Sequence, residues 1–336
     1  MALPAREQPG SLVRTVGFDL RRLSPGDATR FLRIVLAFAR NGLVVVARKG
    51  PRVALRPRQQ APAAAAAAAR HAFIELGPTF VKFGQMIASR PGLFPDSVTD
   101  EFRGLLDAVP PERTRVVRAT VERELGSTID DLFASFDDTP LAAASVAQVH
   151  EARLHDGTRV AVKVQRPRLR GRVERDLRLM RLLALGLSRL GKIGELADPV
   201  GIVDDYARSL DTELDFRNEV VWMRLFRENL HTYGHNELMV VPEPIEGMCS
   251  ERVIVMTFVE GTPIDQIDDL RAQGHDLVDV GLQGVRAWLE SALRHGLFHG
   301  DVHAGNLFFT PTAEIAFLDF GIMGTLSEET RTMLRE

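Results

Sequence analysis

Acidic and amide side chains near the C-terminal end of the sequence have the types and spacing needed to handle a metal-bound phosphate. Asp301 follows His299 by two positions, Asn306 follows Asp301 by five, and Asp319 opens an Asp-Phe-Gly turn thirteen residues later. Moving a phosphoryl group requires oxygen ligands for magnesium and a carboxylate beside the acceptor oxygen. The spacing therefore favours Asp301 as the catalytic carboxylate, with Asn306 and Asp319 as metal ligands.

These two segments match, in order, the catalytic loop and the metal-binding turn of protein kinases, His-Arg-Asp-x-x-x-x-Asn and Asp-Phe-Gly. Gly300 stands where that pattern has Arg. Two short apolar runs, 307–309 and 315–318, separate the segments and predict a strand pair that returns the chain to the same end of the site. Each segment alone is a weak signal, but together they predict a site that uses ATP and Mg²⁺.

A kinase site also needs an upstream strand lysine that contacts the nucleotide phosphates, and a helical Glu that fixes it. The run 160–164, Val-Ala-Val-Lys-Val, places Lys163 on a strand just after an Asp-Gly hairpin signal. The partner acid is expected on one long helix predicted over 205–228, where Glu213 and Glu219 lie nearly two turns apart. Spacing leaves either acid open as the partner of Lys163.

A zinc site is the competing interpretation of the histidines. His299 and His303 have the His-x-x-x-His spacing of a helical zinc site, which requires Glu directly after the first His. Gly300 occupies that position, and Gly305 argues against a continuing helix. We therefore favour the phosphoryl-transfer interpretation.

The segment before the lysine strand lacks the Gly-x-Gly-x-x-Gly loop of ordinary kinases. Residues 141–150 read Leu-Ala-Ala-Ala-Ser-Val-Ala-Gln-Val-His instead. Ala adopts positive φ less readily than Gly, so this loop should contact phosphates differently and move less.

With this loop the sequence resembles the UbiB (AarF-like) atypical kinases, a protein-kinase-like family related to coenzyme Q biosynthesis. The resemblance covers about residues 70 to 330. The motifs that carry it are the alanine loop, Lys82-Phe83-Gly84-Gln85, Glu213-x-Asp215 and the Asp-Phe-Gly turn.

The resemblance implies roles for individual residues. Lys82 and Gln85 would belong to an N-terminal extension that folds over the site where a protein substrate would dock, with Lys82 reaching Glu213 and Asp215. Backbone groups of Thr257 to Val259 would meet adenine. The remaining assignments are a nucleotide loop of Ala142, Ala143, Ala144 and Ser145, a phosphate-contacting Lys163 with Glu219 as its helical partner, a catalytic Asp301, and the metal ligands Asn306 and Asp319.

The activity that the resemblance implies is ATP hydrolysis or small-molecule phosphorylation in support of ubiquinone or other prenyl-lipid metabolism, rather than ordinary protein phosphorylation. Its partners would be a prenyl-lipid or quinone precursor and a lipid-biosynthesis protein complex. The alternative is a pseudokinase-like module in which nucleotide occupancy switches a lipid-binding or scaffold surface. Asp301 beside the metal ligands favours the enzyme, since a pure switch does not need it.

Charge is distributed unevenly along the chain. The net charge of −3 gives no case for nucleic acid, yet residues 1–70 hold 13 Lys and Arg against three acids. Within this region 31–46 is apolar, with Arg33 and Arg40 on one helical face. The apolar side comprises Phe31, Ile34, Val35, Phe38 and Val45.

This stretch is too short and too charged to span a bilayer, which needs about 20 apolar residues. It predicts a helix lying on an anionic membrane surface, with packing onto the kinase domain as the alternative. The first 20 residues contain no apolar signal-peptide core, and the single cysteine, Cys249, excludes disulfides. Peripheral association with the cytoplasmic side of a membrane is the expected location.

The predicted fold class is α+β, a two-lobed protein-kinase-like fold with a helical N-terminal extension. In the N-lobe, 239–241 and 253–258 are expected to continue the sheet. Fifteen residues follow Gly321, and because a kinase C-lobe needs several more helices we expect a truncated C-lobe. The predicted domains are 1–60, a basic region with an amphipathic helix and linker; 61–138, a helical extension carrying Lys-x-Gly-Gln; 139–261, the N-lobe; and 262–336, a partial C-lobe.

Overall fold

The computed structural model of the chain describes residues 24–49, 57–88, 94–103, 105, 111–189, 198–232, 236, 238–274 and 276–336. The helices in these ranges are α1 (Pro25–Lys49), α2 (Pro57–Leu76), α3 (Pro78–Ala88), α4 (Asp96–Phe102), α5 (Thr114–Leu125), α6 (Ile129–Leu132), α7 (Leu169–Ser188), α8 (Pro199–Glu213), α9 (Phe216–Thr232), α10 (Ile267–Ala272), α11 (Leu277–Glu290) and α12 (Glu328–Arg335). A π-helical turn, Ser291–His295, follows α11, and a 3₁₀ turn covers Ala304–Asn306. None of the described helices is both long and apolar enough to cross a bilayer.

The strands are β1 (Ser135–Ala143), β2 (Ala147–Arg153), β3 (Arg159–Gln165), β4 (Met239–Val240), β5 (Pro244–Cys249), β6 (Val253–Thr257), β7 (Thr262–Pro263), β8 (Leu297–His299), β9 (Leu307–Phe309), β10 (Ile315–Phe317) and β11 (Met323–Thr325). The chain divides into two compact units. Unit 1 comprises Met1–Pro111, Ala143–Val146 and Arg168–Asp211, and unit 2 comprises Glu112–Ala142, Ala147–Pro167 and Thr212–Glu336.

Unit 1 is helical, and small side chains let its first two helices approach closely. Ala64 and Ala68 of α2 form a buried cluster with Val45 of α1. At the other end of α1, Arg30 donates to Asp176 of α7 at 2.7 Å, so the apolar packing is supplemented by a half-buried ion pair. A central aromatic ring, Phe73, contacts the rings of Phe38, Phe80, Phe83 and Phe102.

Helix α1 differs from its prediction in extent and in facing. The helix extends beyond 31–46 at both ends. Ile34 and Val45, which the sequence placed on the membrane-facing side, are both buried in unit 1, and Val45 is buried because it packs against the alanines of α2. Val35 of the predicted side is exposed as expected, and it forms the outward apolar stripe with Leu32, Leu36 and Leu43, all at least 43% exposed.

The close approach of α3 to α4 depends on Gly84. A Cβ atom built there would lie 2.3 Å from Leu105 Cδ1 and 2.6 Å from Phe102 Cδ1, and both of those side chains are buried. We expect Gly84→Ala to lower the free energy of unfolding by about 1–3 kcal/mol through overpacking. Urea denaturation measures this.

Gly171 of α7 is the matched control, since a Cβ there meets nothing within 4 Å. Gly171→Ala is expected to raise stability by about 0.5–1 kcal/mol through helix propensity. Equal effects of the two substitutions would contradict the packing account.

Unit 2 contains a five-stranded antiparallel sheet in the order β1-β2-β3-β6-β5. Val160, Val162 and Val164 of β3 are buried in a cluster with Val117 and Val121 of α5. Because side chains alternate along a strand, Lys163 emerges on the face opposite these valines. The predicted β2–β3 hairpin is present in register, with Val149 opposite Lys163.

Two predictions of secondary structure were wrong, one for residues 205–228 and one for residues 239–241. The single helix over 205–228 is broken into α8 and α9, because the Asp215 side chain accepts from the N–H of Arg217 and the N–H of Phe216 donates to Glu251 O. Residues 239–241 do not continue the N-lobe sheet. Met239–Val240 instead pairs in parallel with β10.

The remaining strands of unit 2 bring the catalytic segments together. One sheet has the order β4-β10-β9-β7, and β8 pairs with β11. The predicted strand pair between Asn306 and Asp319 is therefore present as β9–β10. Phe226 of α9 contacts the rings of Phe317 and Phe320, which packs that helix against the Asp-Phe-Gly turn.

Candidate functional site

Three charged side chains from distant parts of the sequence meet in unit 2. Lys163 Nζ, on β3, lies 2.6 Å from Glu219 Oε1 on α9 and 3.1 Å from Asp319 Oδ1 in the Asp-Phe-Gly turn. The ring of Phe216 lies below the ammonium group, 5.4 Å from its centroid. Lys163 and Glu219 are buried, whereas the Asp319 side chain is 48% exposed. The cluster therefore has one carboxylate fixed in the core and one facing solvent.

The electrostatics of the cluster follow from two carboxylates sharing one ammonium. Burial alone would lower the pKa of Lys163, but the charges of Asp319 and Glu219 outweigh it and raise that pKa. For Glu219, burial is the largest effect, and together with repulsion from Asp319 it exceeds the attraction of Lys163 and raises the pKa to about 7.

The choice of acidic partner, which spacing left open, is decided by geometry. Glu219 lies in the first turn of α9 and its Oε1 also accepts a 3.4 Å hydrogen bond from the N–H of Phe320. Glu213 is the last residue of α8 and half-buried, and Asp215 binds the guanidinium of Arg217. The helix break at Asp215 thus separates Glu213 from Glu219.

His299 connects the catalytic loop to the metal-binding turn. Its Nδ1 accepts from the N–H of Asp301 at 3.3 Å, so its Nε2 carries the proton and donates to the carbonyl oxygen of Asp319. The imidazole is buried, and burial lowers its pKa. A neutral imidazole therefore holds the backbones of Asp301 and Asp319 in fixed relation.

Gly300 fits tightly between these residues. Its N–H donates to Ile322 O at 2.9 Å, which joins the end of β8 to the start of β11. A Cβ atom at this position would lie 3.1 Å from Ile322 Cγ2 and 3.2 Å from Ile322 O. The backbone approach leaves little room for the Arg that the protein-kinase pattern has at this position.

Asp301 and Asn306 lie at the two ends of one loop and are joined by a hydrogen bond. Asn306 Nδ2 donates to Asp301 O at 3.1 Å, which leaves the amide oxygen available as a ligand. The Asp301 side chain is 46% exposed, whereas Asn306 is largely buried. The structure thus brings Lys163, Glu219 and Asp319 into contact, and Asp301 and Asn306 into a neighbouring loop of the same unit.

The predicted nucleotide loop and the segment predicted to meet adenine, Thr257 to Val259, have mixed environments. Ala142 and Ala143 end β1, Ala144 is exposed, and Ser145 is fully buried. The N–H groups of Thr257 and Phe258 donate to Glu243 O and Arg159 O, so neither is available to a nucleotide without rearrangement. Val259 is half-exposed. Roles in nucleotide binding for these residues stay predictions.

Lys82 and Gln85 lie on α3 in unit 1. Gln85 Nε2 donates to Leu105 O at 3.3 Å, and Lys82 is half-buried. The expected contact of Lys82 with Glu213 and Asp215 of unit 2 stays a prediction.

Sequence reasoning missed Phe216 and the bridging role of His299. Phe216 directly follows the Glu213-x-Asp215 motif, so an aromatic residue adjoining that motif was the available signal. For His299 the signal was its place two residues before Asp301, but its link to Asp319 depends on contact between segments that no local pattern encodes.

Two buried histidines make the folded chain sensitive to acid. Burial lowers the pKa of His150, as it does that of His299. Below pH 6.5 the two imidazoles take up protons in the unfolded chain but stay neutral in the folded chain. The unfolding free energy therefore falls by at most about 1.4 kcal/mol per pH unit for each histidine. Glu219 acts oppositely: with its pKa raised to about 7, its contribution is complete below 4.5 and is lost as the pH rises to 7.

We therefore expect the unfolding free energy from urea titration to fall between pH 7 and pH 5.5, and to fall more steeply in Glu219→Gln, which removes the opposing group. A Glu219→Gln protein with equal stability at both pH values would contradict this assignment.

Comparisons with known proteins agree on one kind of domain. The ABC1 atypical kinase-like domain profile matches residues 104–336. The uncharacterized protein Rv0647c of Mycobacterium tuberculosis is 45% identical over 264 residues, covering 79% of this chain and 54% of that protein. A protein named "Probable protein kinase UbiB" from Pseudomonas putida is 36% identical over 282 residues, covering 83% of this chain and 52% of that protein. The chain spans about half the length of the curated relatives it matches.

The structure of the chain is also similar to a solved structure. The complex of Rv3197 with erythromycin from Mycobacterium tuberculosis matches with a TM-score of 0.52 and 30% sequence identity. The match covers 64% of this chain and 53% of that one.

Proposed function

The chain belongs to the ABC1 atypical kinase-like family, and on that premise we propose that unit 2 binds ATP with Mg²⁺ and transfers the terminal phosphoryl group to water or a small-molecule acceptor. Lys163 carries the proposal, because kinases use a strand lysine that is paired with a helical Glu and lies beside the Asp of the Asp-Phe-Gly turn, and these three side chains meet here. The UbiB resemblance and the α+β kinase-like fold class are confirmed by the relatives and by the solved structure.

The donor set fits magnesium. Asp319 offers a half-exposed carboxylate and Asn306 an amide oxygen, and oxygen ligands are those that Mg²⁺ prefers. The metal ion would neutralise charge on the phosphates. Lys163 Nζ lies 3.1 Å from Asp319 Oδ1, so a phosphate group held beside Asp319 would be within reach of the ammonium.

Asp301 would act on the acceptor. Its half-exposed carboxylate can accept the proton of an acceptor hydroxyl or of water as the new P–O bond forms and the bond to ADP breaks. His299 keeps the Asp301 backbone fixed relative to Asp319 during this step, because it bonds to the main chain of both. Glu219 holds Lys163 in place through the 2.6 Å ion pair.

We also propose that the activity supports ubiquinone or other prenyl-lipid metabolism at a membrane surface. The UbiB name of the relatives supports the lipid class. The outward stripe of α1, Leu32, Val35, Leu36 and Leu43, supports surface attachment because it is apolar and exposed in a region with a large excess of positive charge.

The catalytic proposal is tested by measuring binding of a fluorescent ATP analogue and phosphate release from ATP, each with magnesium and with EDTA. We expect magnesium-dependent binding and slow release that increases with vesicles of anionic phospholipid. Binding without release would favour the nucleotide-switched module instead. Absence of both would overturn the proposal.

Membrane attachment is tested by co-sedimentation with the same vesicles. Burying a leucine contributes about 1.5–3 kcal/mol, so Leu36→Glu with Leu43→Glu should weaken vesicle binding at least about tenfold. Val278→Glu with Val285→Glu on α11 is the matched control. Val278 and Val285 are 72% and 57% exposed, and Leu43 and Leu36 are 72% and 56% exposed. Equal loss in both double variants would exclude a specific role for α1.

A further inference from the structure

The ring of His303 makes a well-defined contact that the kinase pattern does not assign. His303 precedes the 3₁₀ turn, and its Nδ1 accepts from the N–H of Gly305 at 3.0 Å, which caps that turn. A Cβ atom at Gly305 would lie 3.1 Å from His303 Cε1, so the ring packs directly over the glycine backbone. The imidazole orientation is therefore set by the loop itself.

This cap decides which nitrogen carries the proton. A neutral imidazole has one donor and one acceptor nitrogen, and Nδ1 is the acceptor here. Nε2–H is thus the donor, and Nε2 lies 3.6 Å from Asp301 Oδ2. That separation exceeds a hydrogen bond by about half an ångström, and hydrogen bonds at catalytic groups often tighten only when substrate binds.

The other contacts of Asp301 fix its backbone rather than its carboxylate. Its N–H donates to His299 and its carbonyl accepts from Asn306. Across the part of the chain that the structure describes, the contact made to the Asp301 carboxylate is that of His303. Both side chains are about half exposed, so the contact adds little stability. Its effect is on orientation.

We propose that His303 is a positioning residue for Asp301: its Nε2–H directs one carboxylate oxygen toward the imidazole and leaves the other facing the phosphoryl acceptor. The inference rests on the proposed function for its catalytic consequence, but the tautomer and the contact exist independently of turnover. A purely structural role, capping the 3₁₀ turn, is the competing account.

Two substitutions separate the two roles of the ring. Asn is a good N-cap, so His303→Asn keeps the acceptor for Gly305 but is too short to reach Asp301. Gln is longer, so His303→Gln places an amide N–H near the position of Nε2 and gives up the cap. We expect His303→Asn to lower kcat for magnesium-dependent phosphate release about 10- to 100-fold with KM for ATP unchanged, because misplacing a catalytic group costs rate rather than binding.

His303→Gln is expected to retain much more of kcat while melting at a lower temperature than His303→Asn. His155→Asn, a change of an exposed histidine in the β2–β3 hairpin, is the control and should match the wild type. Higher kcat in His303→Asn than in His303→Gln would overturn the inference and leave the capping role.

A second measurement does not depend on activity. Imidazole ¹⁵N chemical shifts, assigned to His303 by loss of the signals in His303→Gln, report the tautomer directly. We expect the Nε2–H form and a change in the Nε2 shift in Asp301→Ala. An Nδ1–H form would overturn the inference even in an active protein, whereas a chain that shows the Nε2–H form and the shift change but releases no phosphate would remove the proposed function alone.

Discussion

Asp319→Asn is expected to reduce magnesium-dependent phosphate release by about 10²- to 10⁴-fold. A metal ion contributes several kcal/mol of charge stabilisation to the transferred group, and each 1.4 kcal/mol is a factor of ten in rate. The substitution keeps a side-chain oxygen that can accept from the N–H of Gly321, as Asp319 does at 3.0 Å, so the turn should stay folded. The loss is therefore expected in catalysis and in magnesium affinity.

The measurement is phosphate release at saturating ATP across a magnesium titration. Asp100→Asn is the matched control, because Asp100 is an exposed residue of α4 in unit 1 that pairs with Arg103. Far-ultraviolet circular dichroism of both variants checks the fold. Unchanged release in Asp319→Asn would remove metal-assisted catalysis from this site.

Lys163→Met should have the largest effect on stability, lowering the free energy of unfolding by about 3–5 kcal/mol. Removing the cation leaves Glu219 buried and uncompensated, which is the costly way to break a buried ion pair. The pKa of Glu219, already raised to about 7, would rise further because the attraction of Lys163 is gone and the hydrogen bond from the N–H of Phe320 is what still favours the charged form. Protonation of Glu219 then limits the loss of unfolding free energy at low pH. The variant should therefore be less stable at pH 8 than at pH 6.

The double variant Lys163→Met with Glu219→Leu tests the cause. Replacing both partners of a buried pair by apolar side chains is often neutral, so the double variant should recover most of the stability while remaining inactive. Arg103→Met breaks an exposed ion pair and should change stability by less than about 1 kcal/mol. A double variant as unstable as the single one would show that packing, rather than the unpaired charge, determines the loss.

Local patterns predicted the elements whose signals are contained within a few residues. The Asp-Gly turn and the valine alternation located β2 and β3, and the apolar runs after Asn306 located β9 and β10. Elements that depend on distant partners were not predictable in this way. Met239–Val240 resembles any short apolar strand, and its pairing with β10 depends on how the chain returns after α9.

The same distinction holds for the site. Residue types and spacing singled out Lys163, Asp301, Asn306 and Asp319, because phosphoryl-transfer chemistry restricts which groups can serve. Spacing alone did not decide between Glu219 and Glu213. The family resemblance implied Glu219, and the break at Asp215, which depends on a turn of the backbone and a bond to Glu251, could not be predicted from spacing. The faces of α1 were likewise undetermined, because a helix with apolar residues on two sides gives no sequence signal for which side α2 covers.

The tight fit of Gly300 against Ile322 bears on how the proposed activity would be governed. In kinases that are turned on by phosphorylation, a cationic side chain clamps the new phosphate and so orders the activation loop. Gly300 offers no such clamp, and a side chain there would start only 3.1 Å from Ile322 Cγ2 and 3.2 Å from Ile322 O. A phosphate added to this chain would then find no cation at position 300, so this route of ordering the loop would be missing from the site.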